Sequence, residues 1–373
     1  MKLQIEREKL NRGLQIVSKV IATRPSLPIL SNVLLTTESA GLRISGTDLE
    51  LGITAVLPAQ VENEGSFTLP ARIFSEFISS NTDSLIGLDI SENSQALLTS
   101  EKFSANISGM PADEFPNIPE VTGNLEITLN LPLLVKALRQ AVIACALDDV
   151  RPALAGVYMK FADKKLILAA TDSFRLSEKI IPLEIDMPVK EMIIPGRTAQ
   201  EVIRVASLVP DEKSATIIVS ESQVRVRLAG IDIISRLIEA NFPAYEKIIP
   251  KESVFDLTVS CSELLTALKT SRIFSAVGSS NIRLTIKDSA VSMSSMSTER
   301  GQSKTQISAE IIKHGEDDEL VVAYNARYLS DAIASIEDDK VVLFIAGAKK
   351  PTIVRNPQDA NYQHLVMPVD IKE

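Results

Sequence analysis

Few residues in this 373-residue chain are placed to do covalent chemistry. Hydrolysis or group transfer needs a base beside a nucleophile, and a metal centre needs clustered His, Cys, Asp or Glu. Only two histidines occur, His314 beside an acidic loop and His364 near the end, and neither stands in an HExxH, HxH or nucleophile-elbow setting. Both read as surface residues. The string Gly301-Gln302-Ser303-Lys304-Thr305 ends like a phosphate loop but lacks the glycine that must precede the lysine, and no GxGxxG occurs. The acid pairs Asp148-Asp149, Asp317-Asp318 and Asp338-Asp339 fall in turn-like segments and read as solvated. Cys145 and Cys261, the only cysteines, lie in helical patterns and read as small buried hydrophobes, with no disulfide framework and no CxxC metal site. No catalytic, cofactor-binding or metal-binding residue is assigned.

Recognition of phosphate has better support. Net charge is −9, which taken whole argues against nucleic acid, yet segments 6–24, 71–80, 131–151, 196–207, 261–274 and 325–337 together carry +5 and the remainder −14. Helices are mildly basic while sheets and loops are strongly acidic, so helices gathered on one side attract a polyanion there only. The candidate cations are Arg12, Lys19, Arg24, Arg72, Lys136, Arg139, Arg151, Arg197, Arg204, Lys269 and Arg272. Arg72, Arg197 and Arg327 each have an acid four residues on, so an intrahelical pair competes for each. Arg24, in a loop before Pro25, has no such local offset.

The elements that position these cations recur. Leu10, Leu14, Val17 and Ile21 form one helical stripe with Arg12 and Lys19 on the far side. Leu134, Leu138, Ala141 and Cys145 repeat it 124 residues later with Lys136 and Arg139 opposite, and Leu264 and Leu268 begin a third copy with Lys269 and Arg272 off the stripe. A second helix recurs as Pro70-Ala71-Arg72, Pro195-Gly196-Arg197 and Asn325-Ala326-Arg327. After each comes a pair of alternating strands: 85–90 with 96–100, 215–219 with 224–228 (Arg225 and Arg227 outward), and 341–345 with 351–354. Thr47-Asp48 and Thr171-Asp172 mark matching turns between apolar runs. Three tandem α+β modules follow, 1–124, 125–251 and 252–373, each with two helices and two short antiparallel sheets.

Composition agrees with small repeated cores. Hydrophobic residues make up 45% of the chain, aromatics are few and Trp is absent, so Leu, Ile, Val and Ala must fill the interior. The N-terminus carries charges throughout, and nowhere do 18 apolar residues run together, which leads to the expectation of a soluble, cytoplasmic protein with no membrane partner. The terminal Leu365–Val369 run reads either as an edge strand or as half of an apolar partner groove.

Seven collinear stretches carry a resemblance: ATRPSLPILSNVLL (22–35), GTDLELGI (46–53), SFTLPAR (66–72), MPADEFPNIPE (110–120), AATDSFRL (169–176), EANFPAYEKIIP (239–250) and a terminal VMPV. Over its whole length the chain resembles the bacterial replicative sliding clamp family, the beta subunit of DNA polymerase III. The resemblance implies three DNA-clamp folds, a head-to-tail homodimer closing into a ring, and helices lining a hole that holds double-stranded DNA without reading bases. It implies no cofactor and no catalysis. It also implies a partner groove between modules two and three, at Leu154, Thr171, Ser173, Phe174, Arg175, Leu176, Pro243, Lys247, Ile248, Val366, Met367, Pro368 and Val369. A polymerase subunit, the clamp loader and repair proteins would present short Leu- and Phe-containing peptides there. Two departures stand out: Ser173-Phe174 where the pattern has Gly-His, and the acidic tail Asp370–Glu373 where a basic residue is common. The implied dimer sets Ile107 against Ile273 and Phe274. The rival readings are a hydrolase with a pocket between modules, lined by perturbed carboxylates or histidines, and a structural scaffold without DNA.

Overall fold

Every α-helix among the described residues starts directly at the end of a β-strand, and this is how the repeat is built. The computed structural model describes residues 1–21, 27–90, 95–123, 125–148, 150–275, 280–287 and 290–370. Strand Lys2–Glu6 runs into α1 (Arg7–Val17), Ser66–Pro70 into α2 (Ala71–Ser80), and Leu125–Asn130 into α3 (Leu131–Val142). Lys190–Pro195 leads to α4 (Gly196–Leu208), Phe255–Ser260 to α5 (Cys261–Ile273) and Glu319–Asn325 to α6 (Ala326–Ala334). Asn130 and Asn325 accept from the Leu133 and Arg327 amides, satisfying donors that a helix start leaves open. The predicted stripes are buried: Leu10, Leu14 and Val17 in α1, Leu134, Leu138 and Ala141 in α3, Leu264 and Leu268 in α5. Ile21 and Cys145 continue their stripes past the helix ends.

Among the described residues the strands form four antiparallel sheets, and each repeat contributes to two of them, as expected. Neighbouring repeats share sheets. Strand Leu51–Leu57 of the first repeat pairs with Ile231–Arg236 of the second, Ile53 facing Ile233. Strand Arg175–Pro182 of the second repeat pairs with Asp359–Val366 of the third, Ser177 facing His364. Each union makes a nine-stranded sheet, leaving a five-stranded sheet in the first repeat and a four-stranded one in the third. Fusion has a physical reason: an unpaired edge exposes backbone donors and acceptors, and pairing removes it. The terminal strand Asp359–Val366 is therefore central, between Arg175–Pro182 and Thr352–Asn356, and not the edge strand that the sequence suggested.

By its contacts the chain divides into two compact units, Met1–Val135 with Arg197–Leu237, and Lys136–Gly196 with Ile238–Glu373. In the first, α1 packs on strands Gly41–Thr47 and Leu51–Leu57 and on α2. Gly13 permits that approach: a Cβ there would lie 2.6 Å from Leu57 Cδ1 and 2.7 Å from Ile44 Cδ1. In the second, α5 and α6 pack together over a core that includes Leu257, Leu284, Met293, Tyr324 and Leu343. Among the described residues no helix is long and apolar enough to cross a membrane.

Candidate functional site

The residues expected to line a partner groove all lie within the second unit, several of them in or bonded to the turn Thr171–Arg175. Thr171 Oγ1 accepts the Ser173 amide at 3.1 Å and donates to the Arg175 carbonyl at 2.6 Å. Asp172 Oδ1 accepts the amides of Phe174 and Arg175 at 2.9 and 3.0 Å. These side-chain bonds hold Ser173 at φ 79°, a left-handed conformation where glycine is usual. Folded this way, the turn exposes Phe174 and directs Arg175 inward.

Arg175 is 6% exposed and fully engaged. Its Nε donates to Asp172 Oδ2 at 3.0 Å, its Nη1 to Asp331 Oδ2 at 2.7 Å, and its guanidinium lies 4.5 Å from the Tyr328 ring centre. Phe174 stacks on the same ring at 6.5 Å. The tail is tied to this turn, since the Met367 amide donates to the Phe174 carbonyl and the Val369 amide to the Ala323 carbonyl, both at 2.9 Å. Leu154, Thr171, Leu176 and Val366 are buried, Met367, Pro368 and Val369 half-buried, and Pro243, Phe174, Lys247 and Ile248 exposed. The set thus combines buried apolar side chains with exposed apolar ones and the exposed cation Lys247. Asp370 is exposed, and the rest of the acidic tail lies outside the described residues.

The second unit also holds a polar network that the sequence did not reveal. Ser177 donates to the Gln140 carbonyl at 2.6 Å, Gln140 Nε2 to the Ser335 carbonyl at 3.1 Å, and the Ser335 and Tyr362 hydroxyls bond at 2.6 Å. His364 Nδ1 lies 3.3 Å from the Tyr362 hydroxyl. His364 is wholly buried, contrary to its reading as a surface residue, and burial, with the Arg175 charge, pushes its pKa down to about 3. His314 is exposed as expected, 3.3 Å from Asp256. Both cysteines are buried, and burial pushes the Cys145 thiol up to about 12, so it is inert at neutral pH. Among the described residues no cluster of His, Cys, Asp and Glu could hold a metal ion.

The candidate cations divide into two sets. Arg12, Lys19, Arg139, Lys269 and Arg272 are exposed, and so is Arg72, paired with Glu76 at 3.0 Å as its spacing predicts. Of the others, Lys136, Arg151, Arg197 and Arg204 are engaged. Lys136 binds Glu337 at 2.8 Å, and Arg151 donates to Ser173 Oγ at 2.6 Å, which puts it at the groove turn. Arg204 pairs with Glu201 and donates to the Gln15 and Ile16 carbonyls at the C-terminal end of α1, where a positive charge is favoured. With Glu201 so occupied, Arg197 pairs instead with Asp48. Asp331, the acid expected to hold Arg327, binds Arg175. Arg225 and Arg227 share the outward face, but Arg225 is buried against Asp232. Arg24 lies outside the described residues.

Tyr328 and Asp331 belong to the site and were missed as site residues. Their signal was faint: Tyr328 directly follows the arginine of the repeated Ala-Arg or Gly-Arg pair, where the other copies have Ile73 and Thr198. Of the residues expected at a dimer contact, Ile273 is 61% exposed at the end of α5. Phe274 is half-buried, and Ile107 is buried on Ser104–Ser108, an edge strand of the five-stranded sheet.

Three consecutive family models match the chain: the N-terminal domain of the DNA polymerase III beta subunit at residues 1–119, its central domain at 128–244 and its C-terminal domain at 246–370. The beta sliding clamp of Bacillus subtilis is 28% identical over 380 residues, covering 99% of both chains. That of Staphylococcus epidermidis is 29% identical over 378 residues with the same coverage. The crystal structure of the Bacillus subtilis DNA polymerase sliding clamp superposes with a TM-score of 0.94 at 27% identity over all of both chains. A Pseudomonas aeruginosa sliding clamp bound to griselimycin superposes at 0.93 with 25% identity, again over all of both chains. On this agreement the chain belongs to the DNA polymerase III beta subunit family, the family of the bacterial beta sliding clamps.

Proposed function

We propose that this protein is a DNA sliding clamp, a non-catalytic processivity factor whose homodimer encircles duplex DNA and tethers a replicative polymerase. The observation that carries this reading is the match of all three beta-subunit domain models in order along one chain. In this reading the chain comprises three clamp domains, 1–124, 125–251 and 252–373, and works in the cytoplasm. Exposed cations on the helices and just after α1 (Arg12, Lys19, Arg72, Arg139, Lys269 and Arg272) face the phosphates, while Lys136, Arg197 and Arg204 are held by Glu337, Asp48 and Glu201. Weak contacts of this kind leave the ring free to slide. The groove at Phe174, Ile248 and Met367 receives short Leu- and Phe-containing peptides from the polymerase, the loader and repair proteins, their apolar side chains covering its exposed apolar edge. A hydrolase reading is not favoured.

Dimer closure joins the edge strand Ser104–Ser108 of one protomer to the third repeat of its partner, with Ile273 as the exposed apolar anchor. Ile273→Asp would place a charge in that contact, and a halved solution mass is the expected result; an unchanged mass overturns the assignment of Ile273. The function itself is tested by loading the protein with a clamp loader and ATP onto nicked circular DNA and onto the same DNA linearised. Retention on the circle with loss from free ends supports a topological clamp. Equal retention on both, or none on either, overturns it.

A further inference from the structure

The outer face of the first nine-stranded sheet carries an open trough where the second sheet covers itself. Leu34, Ser45, Thr54, Asp232 and Arg227 stand opposite one another across five strands and form one row. The matching row of the second sheet is Tyr158, Ala169, Glu178, Gln363 and Arg355. There the chain supplies its own cover. Tyr158 stacks on Phe242 at 4.8 Å, and Tyr245, 4% exposed, donates its hydroxyl to Glu178 at 2.6 Å.

Over the first row passes Phe115-Pro116-Asn117-Ile118-Pro119, which repeats the Phe-Pro start of 242–243 but brings no second aromatic ring. A cavity of about 700 Å³ is left between that segment and the sheet, and a smaller one of about 330 Å³ adjoins it at the Thr47–Leu51 turn. Its walls mix apolar side chains (Leu34, Val56, Phe115 and Ile118) with charge. Arg225 donates to both Asp232 oxygens at 2.7 and 3.0 Å, and Arg227 to both at 2.8 and 3.2 Å. One carboxylate thus answers two guanidiniums, and the Arg227 side chain is 51% exposed. Arg43 has its own partner in Glu38, and Glu120 stands on the exposed end of the cover. A second carboxylate beside Arg227 would complete the set, and guanidinium–carboxylate pairs in a partly desolvated cleft are among the stronger polar contacts.

We propose that this trough binds a short acidic peptide, which places an apolar or aromatic side chain in the space that Tyr245 occupies in the other sheet and a carboxylate on Arg227. The site is separate from the groove at Phe174, and the proposal does not rest on what that groove binds. The occupant is extended because the trough runs along a sheet face beneath a covering segment, and alternate side chains of an extended peptide point to opposite walls.

The test uses the full-length protein and two fluorescein-labelled pentapeptides, Asp-Phe-Asp-Ile-Asp and its uncharged counterpart Asn-Phe-Asn-Ile-Asn, with binding read by fluorescence anisotropy. The acidic peptide is expected to bind saturably and at least tenfold more tightly than the uncharged one. Arg227→Glu and the cavity-filling Val56→Trp, each checked for wild-type thermal unfolding, should each weaken it at least tenfold, and Phe174→Ala should leave it unchanged. Absence of saturable binding, equal affinity for the two peptides, or loss in Phe174→Ala with retention in Arg227→Glu would overturn the proposal.

Discussion

The turns Thr47–Leu51 and Thr171–Arg175 have one backbone and different consequences. In each, the threonine hydroxyl accepts the amide two residues on and donates to the carbonyl four residues on, and the aspartate Oδ1 accepts the next two amides. Leu49 has φ 80° and Ser173 φ 79°. Thr-Asp therefore sets the turn, and the residues after it are free to differ. Where the first turn ends in Leu51, the second ends in Arg175, and this arginine ties the turn to Asp331 and Tyr328 of α6. Arg175→Met is the strongest way to break the comparison. Removing one member of a buried ion pair leaves Asp172 and Asp331 without it, at a cost of about 3 kcal/mol. Urea unfolding should show that loss, and peptide binding should weaken because Phe174 loses its support; wild-type stability in the variant would mean the ion pairs are incidental.

The strands joined at each shared sheet differ on their inner faces as well. The first union sets Ile53 against Ile233 and Ile233 against Val226, whereas the second sets Ser177 against His364 and His364 against Val354. Only the second can respond to pH. His364 is neutral when folded, with a pKa near 3, but takes up a proton near 6.5 when unfolded, so acid favours the unfolded chain. Its contribution is complete above about pH 6.5 and is lost as the pH falls toward 3. Between pH 7 and 4 the wild type should lose roughly 3 kcal/mol more than His364→Leu, at about 1.4 kcal/mol per pH unit below 6.5. Parallel pH profiles for the two proteins would show that the ring protonates in place.

Much of this was legible in the sequence because local chemistry dictates it. The helical stripes, the strand pairs and the Thr-Asp turns depend on spacing and on side chains bonding to nearby backbone, and each appears where its pattern predicts. Partners were legible only where they are near in sequence. Arg72 takes Glu76 as its spacing predicts, but Arg197 takes Asp48, 149 residues away, and Arg175 takes Asp331, 156 away. Burial of His364 was illegible for the same reason. Its environment comes from Ser177 and Val354 on neighbouring strands and from Arg175, whose placement depends on strand order. Sheet fusion was missed because edge and central strands of an antiparallel sheet can share one alternating pattern, so sequence alone did not separate the two readings of Leu365–Val369.

Asp48 and Asp172 offer the smallest test of the same comparison. Each carboxylate binds its own turn through Oδ1 and an arginine through Oδ2, Arg197 in the first case and Arg175 in the second. The arginines differ in exposure, with side chains 53% exposed for Arg197 and 6% for Arg175. Water and salt screen the first pair, and exposed pairs contribute little. Arg197→Ala should therefore cost under 1 kcal/mol in urea unfolding, and raising the salt concentration should shrink that difference further. The Thr47–Leu51 turn itself should persist, since its threonine and aspartate bonds to backbone do not involve Arg197. A loss approaching that of Arg175→Met would mean that the ion pair, and not the Thr-Asp hydrogen bonding, holds the first turn in shape.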